Sequence, residues 1–167
     1  DDVSEENLVR ALQLGQKILS VESERAEVWL SVARGKMRLA DYEGGFEAFD
    51  EYLNRETEDW NVRREVGAHA LEFEDGERAL TVMKLLHEFD QANKDDYVLC
   101  SNACLEMGQD DKALGFLQRA LDKEPDDPEL QLRFTQAERA KFERALSRLL
   151  EEIGEGSGNE DQRKQLA

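Results

Sequence analysis

Little in this chain can stop a helix. Its 167 residues include only two prolines, Pro125 and Pro128, so no proline interrupts helices before them. No run of about 18 apolar residues occurs, which excludes a membrane-spanning helix. Cations are scarce: 22 Lys and Arg stand against 39 Asp and Glu, for a formal net charge of −17. A field of that sign repels phosphate, so nucleic acid and direct binding to an anionic membrane are not expected. Three readings of the charge remain: a solvated acidic surface that keeps the chain soluble, a high-salt habitat, or basic partners.

Cysteine and histidine are nearly absent. Cys100 and Cys104 stand at i and i+4, neighbours on one helical face whose geometry would strain a disulfide. Two free thiols favour a reducing, cytoplasmic compartment, and they read as small core residues. With only His69 and His87 to add, no four-ligand zinc site is assembled. There is no GxGxxG, P-loop or HExxH motif, and the many carboxylates sit at helix starts and polar faces. No enzyme, cofactor or metal is expected.

What the chain does have is a period. Lys94–Asp127 reads as a helix, a tight turn at Gly108, a second helix and a stop at Pro125. Counting back in steps of 34, units begin at Trp60 and Ala26, with part of another before them. The position where two helices would cross closely holds Ala11, Gly45, Ala79 and Ala113, all small. Another column reads Leu19, Leu53, His87 and Leu121, and the turn column reads Asp41, Asp75 and Gln109.

A helix–turn–helix period of 34 resembles the tetratricopeptide repeat family. The unit 26–59 resembles it through Trp29, Val32-Ala33, Asp41-Tyr42 and Gly45 with Phe49. The unit 94–127 matches at Gly108, Ala113, Ala120, Leu121 and Pro125. The unit 60–93 keeps Gly67 and Ala79 but has Met83 and Leu86 where an aromatic residue and alanine are usual. The resemblance implies an all-α, right-handed α-solenoid of stacked hairpins with a C-terminal capping helix.

In this register residues 1–25 form the second helix of a leading unit, with Ser4 as its N-cap. Residue Asp1 falls inside the first helix of that unit, so the chain reads as a piece of a longer protein. If a signal peptide has been removed, the periplasm is the alternative compartment. Helices are expected at 25–39, 42–54, 59–73, 77–89, 95–107 and 110–122. Residues 128–153 carry Leu130, Phe134, Ala137, Phe142, Leu146, Leu149 and Ile153 at helical spacing and read as the cap. Arg139, Lys141, Arg144 and Arg148, with Glu138, Glu143, Glu151 and Glu152, supply its polar face. Residues 154–167, polar and glycine-rich, read as a disordered tail or linker.

The resemblance also implies a partner-binding groove lined by the first helix of each unit. Its residues here include Leu30, Arg34 and Arg38, then Asn61, Arg64 and Glu72, then Asn102. Three arginines, Arg34, Arg38 and Arg64, converge in an acidic chain. Arginine holds carboxylates bidentately, so they could anchor an acidic peptide or a C-terminal carboxylate. The alternative is pairing with Glu27, Glu65 and Glu72. Chaperone-binding members of the family clamp a terminal carboxylate at places that here hold Leu30, Arg34, Glu65, Asp95 and Leu99, so that clamp is absent. The function implied is a protein–protein interaction scaffold that binds a partner's peptide or helix in the groove. Two alternatives stand beside it: a bacterial envelope or polysaccharide-export assembly scaffold, and a self-associating oligomerisation module.

Overall fold

The computed structural model describes the backbone of residues 5–165 and the side chains of residues 5–153, so Ser4 lies outside the described residues. Among these there are eight α-helices and no strand. They are α1 (Glu5–Leu19), α2 (Ala26–Arg38), α3 (Tyr42–Arg55), α4 (Trp60–Glu72), α5 (Gly76–Glu88), α6 (Lys94–Glu106), α7 (Asp110–Lys123) and α8 (Pro128–Gln165). First helices begin at 26, 60, 94 and 128, and second helices at 42, 76 and 110, each one period of 34 after the last.

The turns between paired helices repeat as well. Ala40, Glu74 and Gly108 have φ of 60°, 57° and 67°, the left-handed region. At the first and third, the next N–H reaches back five residues: Asp41 donates to the Lys36 carbonyl and Gln109 to the Cys104 carbonyl. This closure satisfies carbonyls the helix end leaves open, and glycine adopts it without steric cost. Only the third unit places glycine there. Ala40→Gly and Glu74→Gly are each expected to raise stability by about 0.5–1 kcal/mol, the left-handed penalty less glycine's extra chain entropy. Thermal melts of the two single variants and the pair check this.

Helix starts follow the same rule. Asp41 accepts a hydrogen bond from the Gly44 N–H, and Asp75 from the Arg78 N–H. Asp59, Asn93 and Asp127 cap the first helices through the N–H groups of Val62, Asp96 and Leu130. Arg25 and Gln109 occupy equivalent places and provide no side-chain cap.

The chain divides into two compact units, residues 1–70 and 71–167. In the first, Leu19, Val32, Ala33, Phe46, Phe49, Leu53 and Val66 form the core. Helices α1 and α2 approach through two glycines used reciprocally. A Cβ on Gly15 would lie 2.8 Å from Val32 Cγ2, and one on Gly35 would lie 2.8 Å from Leu12 Cδ2. The Gly44-Gly45 pair has a similar cause. Gly45 faces Met37, while the Lys36–Asp41 ion pair lies over Gly44.

In the second unit, Ala79, Met83, Leu86, Cys100, Ala103, Cys104, Ala113, Leu117 and Ala120 are buried, with Leu130 and Ala137 of α8 against them. Both cysteines are free and buried. The His87 ring stacks on Tyr97 at 5.0 Å and tilts against Phe116 at 5.4 Å, with Nε2 3.2 Å from Cys100 Sγ. Burial, and then the charge of Arg119, hold His87 below its ordinary pKa.

Helix α8 departs from expectation twice. It continues over 154–165, where the glycines suggest a linker. No proline follows Pro128, and the segment ends in the helix-favouring run Glu160-Asp161-Gln162-Arg163-Lys164-Gln165. Its apolar stripe is also not all packed. Leu130 and Ala137 are buried, but Phe142 and Ile153 are 68% and 67% exposed. Ion pairs set the helix's rotation: Lys141 binds Asp111 at 2.5 Å, and Arg144 binds Asp110. These cations face α7, which turns Phe142, Leu146 and Leu149 away from it.

Candidate partner-binding site

In the first unit the face in question comes from α2 and α4. Leu30, Arg34 and Arg38 follow one another at a spacing of four, so they share one side of α2. Leu30 is half-buried, and both arginines are exposed. Arg34 does not wait for a ligand. Its Nε donates to Glu65 Oε1 at 2.9 Å and its Nη2 to Oε2 at 2.6 Å. This bidentate bond to Glu65 is the main cause that raises the Arg34 pKa. Half exposed, the pair adds at most about 1 kcal/mol, so its role is to hold the guanidinium in place. Arg38 makes no ion pair among the described residues. Arg64 is half-buried, with Nη1 3.5 Å from Asn61 Oδ1, a long contact. Of the three arginines, then, one is committed to a glutamate and one leans on an asparagine.

Beneath α4 lies a bond with no counterpart in the other repeats. Tyr52 Oη donates to Asp59 Oδ2 at 2.5 Å. Burial, and then this bond, push the Tyr52 phenol up to about 12. For Asp59, burial is outweighed by hydrogen bonds from Tyr52 and from backbone N–H groups, which hold it below the usual carboxylate range. A phenol whose folded pKa exceeds its unfolded value of about 10 stabilises the fold fully below pH 10. That contribution disappears as pH rises through about 12. The Cys100 thiol, pushed up to about 12 by burial, titrates in the same window. Urea titrations from pH 8 to 12 are therefore expected to show a smaller alkaline decline in Tyr52→Phe than in wild type.

The second unit contains Glu72 and Asn102, both exposed. Asn102 lines a cleft of about 270 Å³ where α6, α7 and α8 meet, together with Ser101, Leu105, Leu117, Arg133 and Gln136. Ser101 is fully buried, and its Oγ has no hydrogen-bond partner. A buried hydroxyl without a partner is costly, which sets Ser101 apart from the other residues of this lining. Arg133 is held by Glu129 at 2.8 Å.

The repeat register singled out Asn102 alone; Ser101, Arg133 and Gln136 line the same cleft and were not singled out. Both signals were present. Ser101 stands in the column of Ala33 and Gly67, where a hydroxyl is out of keeping. Arg133 and Gln136 appear once the register is carried one step past Pro128. Among the described residues, no group of His, Cys, Asp and Glu is arranged to hold a metal, and no helix is long and apolar enough to cross a membrane.

Residues 70–133 match the family model described as tetratricopeptide repeat. No curated protein matches the chain. Solved structures do. A MamA crystal structure superposes with a TM-score of 0.66 at 14% identity, covering 84% of this chain and 82% of that one. The MamA RS-1 ArsTM double mutant gives 0.64 at 20%, covering 81% and 76%. MamA 41-end from Desulfovibrio magneticus RS-1 gives 0.63 at 18%, covering 89% and 85%. At these identities the likeness is one of fold, an all-α helical-repeat solenoid. Residues 70–133 thus carry the tetratricopeptide-repeat pattern, within a chain whose described residues fold as an all-α helical-repeat solenoid.

Proposed function

We propose that the chain holds a peptide or helix of another protein against the faces of its first helices. The observation that carries this reading is the cleft beside Asn102. Leu105 and Leu117 offer apolar surface, and the buried Ser101 hydroxyl needs a polar partner. That combination suits a side chain with an apolar stem and a polar tip. In the first unit, Leu30, Arg38, Asn61 and Arg64 supply the contacts. The Arg34–Glu65 pair means that an acidic ligand must first displace Glu65, so Arg38 is the better anchor for a carboxylate. Glu72 marks the first-helix face in the second unit. Repeats of this kind are interaction modules, and catalysis is not proposed.

The test is affinity capture from native lysate with three baits: wild type, Arg34→Glu/Arg38→Glu/Arg64→Glu, and Asn102→Arg. All three must first show matching circular dichroism and melting. The expected result is one protein captured by wild type and lost, or reduced at least tenfold, with both variants. Unchanged capture by both variants would remove the first-helix faces as the site.

A further inference from the structure

A cavity of the first unit lies away from the face just described. It encloses about 660 Å³ between the end of α1, one flank of α2 and the outer side of α3. Leu19, Trp29, Val32 and Ala48 supply its apolar surface. By the helix period, Trp29, Val32 and Lys36 occupy the flank of α2 roughly opposite Leu30, Arg34 and Arg38. The volume falls within the range of formed ligand sites, about 300–1,000 Å³.

The wall is held in place. Trp29 Nε1 donates to the Ser23 carbonyl at 2.7 Å, and the Arg55 guanidinium lies 5.6 Å from its ring centroid. The rim is acidic. Glu47, Asp50 and Glu51 line it, and Glu43 extends the same stripe one turn back along α3. The nearby cations are already engaged: Lys36 with Asp41 at 3.3 Å, and Arg55 with Glu51 at 2.6 Å. Glu47 is exposed and makes no ion pair among the described residues.

We infer that this cavity is a second docking site, for a basic amphipathic segment of a partner protein. A bulky apolar side chain enters over Trp29 and Val32. Lysine or arginine residues one helical turn to either side meet the carboxylates of Glu43, Glu47 and Asp50. Charge selects the occupant: an acidic segment would meet like charge along α3, and a neutral one would leave Glu43 and Glu47 unmatched. The site shares no residue with the first-helix face, so the chain could join two partners at once.

The probes are synthetic 14-residue peptides carrying a fluorescent label. One has leucine and lysine at amphipathic helical spacing. The second has glutamate in place of lysine, and the third glutamine in place of leucine. Anisotropy titrations at 150 mM salt are expected to show binding of the leucine–lysine peptide at least tenfold tighter than either control. Ser20→Trp, at the cavity mouth, changes no charge and is expected to weaken binding at least tenfold, as is Glu47→Lys. Asp122→Lys, an exposed charge reversal in the second unit, is expected to alter it less than twofold. Circular dichroism verifies each fold. No binding by the leucine–lysine peptide, equal binding of the glutamine–lysine peptide, an unaffected Ser20→Trp, or a loss with Asp122→Lys as large as with Glu47→Lys would each overturn the proposal. The last of these would reduce it to general attraction by the acidic chain. Failure of the first-helix captures leaves these titrations untouched, so the two readings fail separately.

Discussion

Phe49→Ala is expected to cost about 3–5 kcal/mol of unfolding free energy, the range for emptying a large aromatic from a closed core. Phe49 is fully buried on α3, in the column it shares with Met83 and Leu117. Its ring centroid is 6.4 Å from that of His69, so the side chain joins α3 to α4. Alanine would leave a void walled by two backbones that pack elsewhere and cannot both close on it. The flexible Met83 side chain is the comparison. Met83→Ala removes less volume, and its expected loss is nearer the 2–5 kcal/mol range for aliphatic side chains. Urea titrations followed by far-ultraviolet circular dichroism measure both. A shift in midpoint with an unchanged slope is the expected form, because the loss lies in the native state. A loss below about 1 kcal/mol for Phe49→Ala would show that α3 and α4 do not depend on that ring.

The second large effect is a glycine whose replacement is harmful, set beside one whose replacement helps. A Cβ on Gly76 would lie 2.8 Å from the Ala103 carbonyl oxygen and 3.3 Å from Met107 Cγ. The nearer atom is backbone, so α5 and α6 must separate before a methyl group fits. Overpacking of that kind costs about 1–3 kcal/mol, more than alanine's helix propensity returns. Gly76→Ala is therefore expected to melt lower than wild type. Gly115 of α7 meets nothing within 4 Å, so there the propensity term stands alone. Gly115→Ala is expected to gain about 0.5–1 kcal/mol. Opposite shifts of the two melting curves confirm that contact, not glycine as such, decides the sign. Two shifts of the same sign would contradict the close approach of α5 to α6.

Much of this was open to reading before any coordinate. The 34-residue columns located every paired helix, because small residues at crossings and polar residues at turns recur wherever the backbone repeats. Ala11, Gly45, Ala79 and Ala113 could be aligned without knowing what they touch. The arginines were found the same way, and so was the choice between a ligand anchor and pairing with Glu65. Which alternative held for Arg34 was not readable. Leaving Arg34 open or closing it on Glu65 changes no local pattern, and only the distance across two helices tells them apart.

The same division runs through the rest of the molecule. The sequence by itself determined the helical class, the register and the acidic character, since these follow from local spacing and composition. Tertiary structure alone decided that Gly44 lies under an ion pair and that Ser101 is buried without a partner. It also decided that the stripe on α8 stops packing beyond Ala137, and that a cavity opens beside Trp29. The reason is physical. Periodicity records which face of a helix turns inward, but burial, pairing and empty space depend on what the neighbouring helix brings to that face, and that neighbour lies tens of residues away in the chain.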